Sequence, residues 1–146
     1  MIEARRILLV EDNEGDIILT RKALNSLSEI VSIDVIKDGE MALQFLRKNS
    51  PFEEADTPEL ILLDINLPKI DGREVLTLIK NDEKLRIIPV VMLTTSDSEK
   101  DINQCYLNHA NCFITKPVDF ASFKILIHTL INFWIKMARL PKTKWI

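Results

Sequence analysis

The sequence predicts an α/β fold in which five parallel strands form one doubly wound sheet with helices on both faces. The first observation is a set of five short apolar runs that end in polar residues and are too short to be helices. These runs are RILLV (6–10), VSIDVI (31–36), ELILL (59–63), IPVVML (88–93) and CFIT (112–115). The second observation is that the segments between them carry apolar residues at helical spacing. Strands that alternate with helices are typical of a parallel sheet covered on both faces.

The strands differ in their apolar patterns, and these differences predict their order in the sheet. ILLV, LILL and VVML are continuous apolar runs, which is typical of strands buried on both faces. VSIDVI alternates only in part and CFIT is short, so these two runs are predicted to be edge strands. The first, third and fourth strands are then central, as in the flavodoxin-like order 2-1-3-4-5. In that fold, ligands bind beyond the carboxyl ends of the strands, where strands one and three diverge.

Five helices are placed between and after these strands by the apolar residues on one face of each. The marker residues are Ile17, Leu24 and Leu27, then Ala42, Phe45 and Leu46, then Val75, Leu76 and Ile79, then Ile102 and Cys105, and finally Phe120 onward. The acidic segment 49–59 contains two prolines and is expected to be an exposed loop before strand three. We expect the domain to span 5–138, followed by a short tail at 139–146 with no output domain.

Composition excludes several classes of function. The chain has 146 residues, 47% of them hydrophobic, which is enough for one domain with a buried core. The net charge is −3 and no clustered basic face is visible, so we expect no nucleic-acid partner. No apolar stretch approaches the roughly 20 residues that span a bilayer, and the charged N-terminus is unlike a signal peptide. We therefore expect a cytoplasmic protein. Cys105 and Cys112 do not have zinc-site spacing and are expected to be reduced packing residues.

Chemically active side chains follow four of the five predicted strands. Glu11 and Asp12 come directly after strand one, Asp64 after strand three, and Thr94 at the end of strand four. Lys116 follows strand five and precedes a proline. Because the carboxyl ends of parallel strands meet at one edge of a sheet, we expect these groups to lie close together.

These residue types suit phosphoryl transfer. Crowded carboxylates raise one another's pKa unless a cation lies among them, and Mg²⁺ prefers oxygen ligands of this kind. Asp64 can then act as a nucleophile toward phosphorus and form an aspartyl phosphate. Thr94 and Lys116 can donate hydrogen bonds to the phosphoryl oxygens. Asn66 can offer its backbone carbonyl to the metal and its side chain to the site, so the candidate metal ligands are Glu11, Asp12, Asp64 and Asn66.

Each of these residues also has an ordinary structural interpretation. An aspartate after a strand is often the N-cap of the next helix, and this applies to Asp12. For Asp64 the cap interpretation is weaker, because Asp71 is the better cap candidate for helix three. Lys116 followed by Pro117 is commonly only a turn. It is the combination of the right groups at four strand ends that indicates a functional site.

The motifs ILLVEDN, LILLDINLPKIDG, VVMLTTS and FITKP, in this order, resemble a two-component response-regulator receiver domain over roughly residues 5–138. The resemblance implies that Asp64 is the phosphoacceptor that becomes 4-aspartylphosphate. It implies that Glu11 and Asp12 form the acidic pair, with Asp12 a direct Mg²⁺ ligand. It also makes Thr94 the switch hydroxyl and Lys116 the phosphate-contacting lysine, joined to Pro117 by a cis peptide, which X-Pro bonds adopt at low cost.

Finer features resemble the single-domain regulators that pair with cyanobacterial-type phytochrome kinases. These features are the longer loop before strand three, KIDGREVL, LTTS, CFITKPV and the ending INFWIKMARLP. The resemblance implies that a phosphohistidine on a light-regulated sensor histidine kinase is the phosphoryl donor. Phe113 lies where many receivers carry a switch aromatic, often tyrosine. The alternative is that Phe113 is a fixed packing residue of an edge strand.

Helix five carries more apolar surface than one sheet face requires. Its apolar positions cover an arc of about 200°, so we expect an exposed edge formed by Leu126 with Phe133, or by Ile131 with Ile135. The family resemblance also implies dimerisation through helix four, strand five and helix five. The alternative is that the tail folds back with Trp145 as a cover. The two histidines, 109 and 128, are expected to be solvated.

The leading hypothesis is a phosphorylation-controlled signalling switch that assists its own phosphorylation and dephosphorylation without being a conventional enzyme. Three alternatives remain open. The same fold can carry FMN, although three carboxylates at the rim and the absence of a Gly-rich loop disfavour an anionic phosphate. A phosphatase with an aspartate nucleophile requires a second aspartate where Asn66 stands. A receiver-like scaffold that works without phosphorylation is disfavoured by the complete set of acids, threonine and lysine.

Overall fold

The structure, a computed structural model that describes residues 5–27 and 31–142, contains one five-stranded parallel sheet. The strands are β1 (Arg5–Val10), β2 (Val31–Ile36), β3 (Leu60–Leu63), β4 (Val90–Thr94) and β5 (Cys112–Thr115). Their order is β2-β1-β3-β4-β5 and all four pairings are parallel. The predicted fold class and strand order are therefore confirmed. Residues of β3 and β4 are all buried, whereas β2 and β5 are largely half-buried, as expected of edge strands.

Five α-helices connect and follow the strands. They are α1 (Glu14–Asn25), α2 (Gly39–Arg47), α3 (Gly72–Lys80), α4 (Glu99–Leu107) and α5 (Phe120–Ile131). A 3₁₀ turn (Leu85–Ile87) precedes β4. Each α-helix begins at a residue whose side chain accepts a backbone hydrogen bond from the first turn, which stabilises the helix start. These N-caps are Asn13, Asp38, Asp71, Ser98 and Asp119. In the part of the chain that the structure describes, no helix is both long and apolar enough to cross a membrane.

The sheet separates two apolar clusters because successive residues of a strand point to opposite faces. The first core joins Leu8 and Val10 of β1 to buried residues of α2, α3 and α4. The second core joins Ile7 and Leu9 to buried residues of α1 and α5. Cys105 belongs to the first core, whereas Cys112 packs against the second, and both thiols are free. The prediction that the two cysteines are unbridged packing residues is confirmed.

The end of α5 corrects two of the predicted interface residues. A π-helix (Asn132–Met137) continues α5, and a π-turn holds more residues than an α-turn, so it rotates the positions that follow. Ile131 and Ile135 are 0% and 3% exposed and belong to the second core, so placing them at an exposed edge was wrong. Leu126 is half-buried against the same core. Phe133, at 51% exposed, keeps the surface position predicted for it.

Two further expectations concern the loop 49–59 and the tail. The loop is less exposed than predicted, because the Phe52 ring packs edge-on against Phe45 with ring centroids 5.4 Å apart. In the tail, Leu140 packs against the second core. Trp145, the residue suggested as a cover for helix five, lies outside the described residues.

Candidate functional site

Three carboxylates meet at the carboxyl edge of the sheet. Glu11 and Asp12 directly follow β1 and Asp64 directly follows β3, and one oxygen from each lies within 4.8 Å of the others. Glu11 and Asp64 are 2% and 7% exposed, while Asp12 is exposed. The structure thus brings together the acids that the strand-end argument singled out, with one of them open to solvent.

Neither Asp12 nor Asp64 is used as a helix cap. Asn13 caps α1, where its Oδ1 accepts a hydrogen bond from Asp16 N at 2.9 Å. Asp71 caps α3, where its Oδ1 accepts from Arg73 N at 2.7 Å. The cap interpretation of Asp12 was therefore wrong, because the neighbouring asparagine takes that position. One oxygen of Asp64 accepts from Ile65 N at 2.8 Å, which leaves the other facing the cluster.

Lys116 supplies the positive charge of the site. Its side chain is 4% exposed, and its Nζ donates to Glu11 Oε1, to Asp16 Oδ2 at 2.8 Å and to Asp64 Oδ2 at 3.4 Å. Burial lowers the pKa of Lys116, but the hydrogen bonds to Asp16 and Glu11 and the charges of Glu11 and Asp64 outweigh it, so the pKa is raised overall. The ammonium is therefore held in its charged form beside the candidate nucleophile.

The pKa of Glu11 is raised by burial and, to a smaller extent, by the neighbouring carboxylate. Burial of the carboxyl is the largest effect on its pKa; Lys116 opposes it, while the hydrogen bond and charge of Asp64 add to it. Together they raise the pKa of Glu11 to about 7. A divalent cation would relieve this crowding, and three converging carboxylate oxygens are the hard ligands that Mg²⁺ prefers. The residues present therefore fit a magnesium ion.

Asp16 is the residue of the site that sequence reasoning missed. It lies in the first turn of α1, is half-buried, and binds the Lys116 ammonium. Acidic residues are common in first turns because they complement the helix dipole, so Asp16 looked ordinary in the sequence. The available signal was its place in the first turn of the helix that follows Glu11 and Asp12, because that turn starts beside the carboxyl end of β1.

Thr94 and Phe113 lie where the motifs place them. Thr94 is fully buried, and its carbonyl oxygen accepts from Lys116 N at 2.7 Å, which fixes the start of the segment after β5. The Thr94 hydroxyl accepts a long hydrogen bond of 3.5 Å from Ser96 N. Phe113 packs, half-buried, against the first core, and its backbone N–H donates to the Tyr106 hydroxyl at 3.0 Å. A tyrosine hydroxyl is thus present next to Phe113, although it comes from α4.

Three other predictions are refined or corrected. The Asn66 side chain is exposed and makes no hydrogen bond with any residue described. The Lys116–Pro117 peptide is not cis; within residues 5–27 and 31–142 the cis peptide is Ser50–Pro51. The dipeptide alone does not select the isomer, because trans remains favoured by about 0.5–1 kcal/mol for an X-Pro bond. His128 is not simply solvated, since its Nε2 lies 2.9 Å from the Ala23 carbonyl oxygen at the end of α1.

Comparison with known proteins identifies the family. The profile of the response regulator receiver domain matches residues 7–128. The chain belongs to this family. Among curated relatives, the response regulator Rcp1 of Synechocystis sp. is 40% identical over 135 residues, which cover 92% of this chain and 92% of that protein. A probable methanogenesis regulatory protein, FilR2 of Methanothrix harundinacea, is 41% identical over 135 residues, covering 92% of this chain and 86% of the relative.

Solved structures agree with this assignment. The phosphorylated cyanobacterial phytochrome response regulator RcpA superposes with a TM-score of 0.93 at 42% identity, covering 96% of this chain and all of that one. The Mn²⁺-bound form of Rcp1 superposes with a TM-score of 0.90 at 39% identity, covering 94% and 99% of the two chains. This receiver domain is thus related to phytochrome response regulators. Phosphorylation and Mg²⁺ binding are general properties of receiver domains, and the acidic cluster is consistent with both.

Proposed function

We propose that this protein is a phosphoacceptor response regulator in which Asp64 receives a phosphoryl group from a sensor histidine kinase in the presence of Mg²⁺. The observation that carries the proposal is the buried contact between Lys116 and the carboxylates of Glu11 and Asp64, at the edge where Asp12 opens to solvent. A nucleophile, a fixed cation and a route to solvent occur there together. Asp12 is the exposed member of the three acids, so we expect ligands to enter on that side.

The residues of the chain account for the transfer step. An oxygen of Asp64 forms a bond to phosphorus while the P–N bond of the donor phosphohistidine breaks. The bonding electron pair stays on the imidazole nitrogen, and the imidazole leaves as a neutral group with its proton on the other nitrogen. Lys116 faces Asp64 Oδ2 and donates to the transferred oxygens, and the Thr94 hydroxyl donates a second hydrogen bond.

Glu11, Asp12 and Asp64 would hold the magnesium ion, with the Asn66 carbonyl as a further oxygen ligand. When bound, the ion neutralises the crowded carboxylates and the charge on the phosphoryl oxygens. Glu11 also accepts a hydrogen bond from the Lys116 ammonium and another from Asn13 N at 3.2 Å. It therefore positions both the Lys116 side chain and the turn that carries Asp12. Slow hydrolysis of the aspartyl phosphate at the same site would return the protein to its starting state.

The output belongs to the same proposal. Thr94 and Phe113 would report the state of Asp64 to the surface of α4, β5 and α5 in a domain spanning 5–138. Exposed apolar side chains support a homodimer contact there: Leu107 of α4 at 77%, Ile125 of α5 at 67% and Phe133 of the π-helix that continues α5 at 51%. Similarity to RcpA and Rcp1 supports a bacterial phytochrome as the kinase. The proposal places the protein in the cytoplasm.

The test is the intact mass of the protein after incubation with acetyl phosphate and Mg²⁺. We expect a gain of one phosphoryl group in the parent, no gain in Asp64→Asn, and loss of the gain with EDTA. Asp34→Asn is the matched control, because it makes the same change in the half-buried edge strand β2 and should behave as the parent. No gain in any variant would favour the phosphorylation-independent scaffold, and flavin absorbance of the purified protein would favour the FMN carrier.

The identity of the kinase needs its own experiment. Phosphotransfer from an autophosphorylated bacterial phytochrome should reach the parent faster than transfer from a histidine kinase without a light-sensing domain, at equal concentrations. Equal rates from both donors would contradict the phytochrome pairing and leave the phosphoacceptor role intact. The two parts of the proposal can therefore fail separately.

A further inference from the structure

The loop 95–98 between β4 and α4 is fastened by hydrogen bonds that converge on Ser96. Its hydroxyl donates to Asp101 Oδ2 at 2.7 Å, and its carbonyl oxygen accepts from Thr115 Oγ1 at 2.9 Å. Its N–H makes the 3.5 Å contact with the Thr94 hydroxyl, which is long for a hydrogen bond and correspondingly weak. The position of Ser96 thus bears directly on the Thr94 hydroxyl, to which the proposed function assigns a hydrogen bond with the phosphoryl group.

Asp101 connects this loop to another helix. Its second oxygen, Oδ1, accepts from Arg73 Nη1 at 3.0 Å, so the Asp101 carboxylate bridges Ser96 and Arg73. The same guanidinium donates through Nε and Nη2 to both oxygens of Asp71, at 3.1 and 3.3 Å. An arginine fork that joins two carboxylates in this way fixes direction as well as distance. We call Arg73, Asp101 and Ser96 together the loop latch.

The α3 end of the latch is rigid and lies against the phosphoacceptor strand. Gly72 donates its N–H to Ile65 O at 2.8 Å, and a Cβ on Gly72 would lie only 2.0 Å from the Asp64 carbonyl oxygen. Val75 and Leu76 of the same helix are both 0% exposed. The latch therefore ties a mostly exposed loop to a helix that is clamped to the backbone of Asp64.

A phosphoryl group on Asp64 would need room in a crowded place. Asp64, Thr94 and Lys116 are 7%, 0% and 9% exposed, and the strands that carry them are packed on both faces. Loop 95–98 directly follows Thr94 and carries exposed residues, at Thr95, Asp97 and Ser98. It can shift at lower cost than a central strand, because it has fewer buried apolar contacts to lose.

We propose that Arg73 is a positioning residue that, through Asp101 and Ser96, holds loop 95–98 and the Thr94 hydroxyl in the arrangement of unmodified Asp64. The inference rests on the proposed phosphoacceptor function and names a regulator of that site. The latch opposes phosphorylation, because the loop must leave the latched arrangement before Thr94 and its neighbours can accommodate the phosphoryl group. Opening the latch shifts the population toward the competent arrangement, and the coupling runs equally in both directions.

The expected effect follows from the exposure of the latch. Arg73 and Asp101 are 41% and 19% exposed in their side chains, so their ion pair is only partly shielded from water. Losing a partly exposed, charge-assisted hydrogen bond changes an equilibrium by about two- to tenfold. Arg73→Gln should therefore raise the initial rate of phosphorylation by acetyl phosphate and Mg²⁺ by about two- to tenfold.

The experiment compares three latch variants with a matched control. Arg73→Gln and Asp101→Asn each break the bridge, and the double variant should exceed neither single effect by much, because both act through one contact. Arg73→Lys should fall between parent and Arg73→Gln, since an ammonium lacks the fork that reaches both carboxylates. Arg86→Gln makes the same change in charge before β4, at the opposite edge of the sheet, and should leave the rate unchanged.

Thermal unfolding of every variant separates positioning from stability. A faster rate in Arg73→Gln and Asp101→Asn, regardless of the unfolding temperature, supports the latch. A lower unfolding temperature with an unchanged or slower rate overturns it and assigns Arg73 a purely structural role. If the parent itself gains no phosphoryl group while Asp64 is intact, the proposed function fails first. Parent phosphorylation without any effect of the variants refutes only the latch.

Discussion

Replacing Gly72 with alanine tests how closely α3 must approach the phosphoacceptor strand. A Cβ at this position would lie 2.0 Å from the Asp64 carbonyl oxygen and 2.8 Å from the Asp64 carbonyl carbon and the Ile65 Cα. Real Cβ atoms essentially never lie within 3.0 Å of such neighbours, so all three contacts are too short and the first by the most. The atoms in the way are backbone, which cannot swing aside as a side chain can. Overpacking of a tight contact costs about 1–3 kcal/mol, and a contact with immobile backbone belongs at the upper end, near 3 kcal/mol.

Displacement of the Asp64 backbone by a Cβ at position 72 should also slow phosphorylation. Moving the Asp64 backbone by about 1 Å is enough to slow a well-positioned reaction by about 100-fold. We therefore expect Gly72→Ala to lower the free energy of unfolding by about 3 kcal/mol in urea titrations. Where the variant stays folded, phosphorylation should slow by about 10- to 100-fold.

Gly15→Ala is the control for this prediction. Its Cβ would meet only the end of the Asn13 side chain at 3.2 Å, on an exposed helix face. Its effect on the free energy of unfolding should stay within about 1 kcal/mol. A Gly72→Ala protein as stable as the parent and phosphorylated at the parent's rate would refute the reasoning, because it would mean that α3 can move away without disturbing Asp64.

Three further predictions follow from the site and the cores. Mg²⁺ at ten times its Kd should stabilise the parent by about 1.4 kcal/mol, which raises the unfolding temperature by about 3–6 °C. Asp12→Asn should lose most of this stabilisation and Glu14→Gln little of it. Equal losses in the two variants would contradict a specific site. Ile135→Ala should lower the free energy of unfolding in urea by about 2–4 kcal/mol, and Phe133→Ala by less than about 1 kcal/mol, because the two side chains are 3% and 51% exposed. The reverse order would contradict the π-helical placement of these residues. Burial raises the pKa of Cys105 to about 11 from 9.0. Iodoacetamide at pH 8 should therefore alkylate Cys105 about 100-fold more slowly in the native protein than in urea. Equal alkylation rates, followed by peptide mass spectrometry, would show that the thiol is accessible in the native protein.

Much of the fold was predictable because the pattern of apolar residues along each strand matches the burial of that strand in the sheet. Continuous apolar runs such as LILL mark strands covered on both faces, and the partly alternating VSIDVI marks an edge. Because all five strands are parallel, Asp64 and the other residues that follow the strands lie at the carboxyl edge of the sheet. Strand direction alone places them there, so no knowledge of individual side-chain contacts was needed.

The features that sequence reasoning missed depend on local geometry that carries no pattern of its own. The π-helix at 132–137 inserts an extra residue per turn, and apolar residues on every side of INFWIKM hide the change of phase. Asp16 resembles the acidic residues that are common in the first turns of helices. The isomer of the Lys116–Pro117 bond depends on a free-energy difference too small to be predicted from two residues. The contact of His128 with Ala23 requires the packing of α5 on α1 and joins residues that are 105 positions apart in sequence.

The division of the interior by the sheet has a consequence for how such a chain can diversify. Phe113 packs against the first core, whereas the inner side of α5 and its π-helical end pack into the second. Substitutions whose contacts are not shared tend to add without interfering. Substitutions on the outer face of α5 should therefore alter partner contacts with little effect on the packing of the first core. The surface through which the proposed switch would signal can change faster than the interior that holds Asp64.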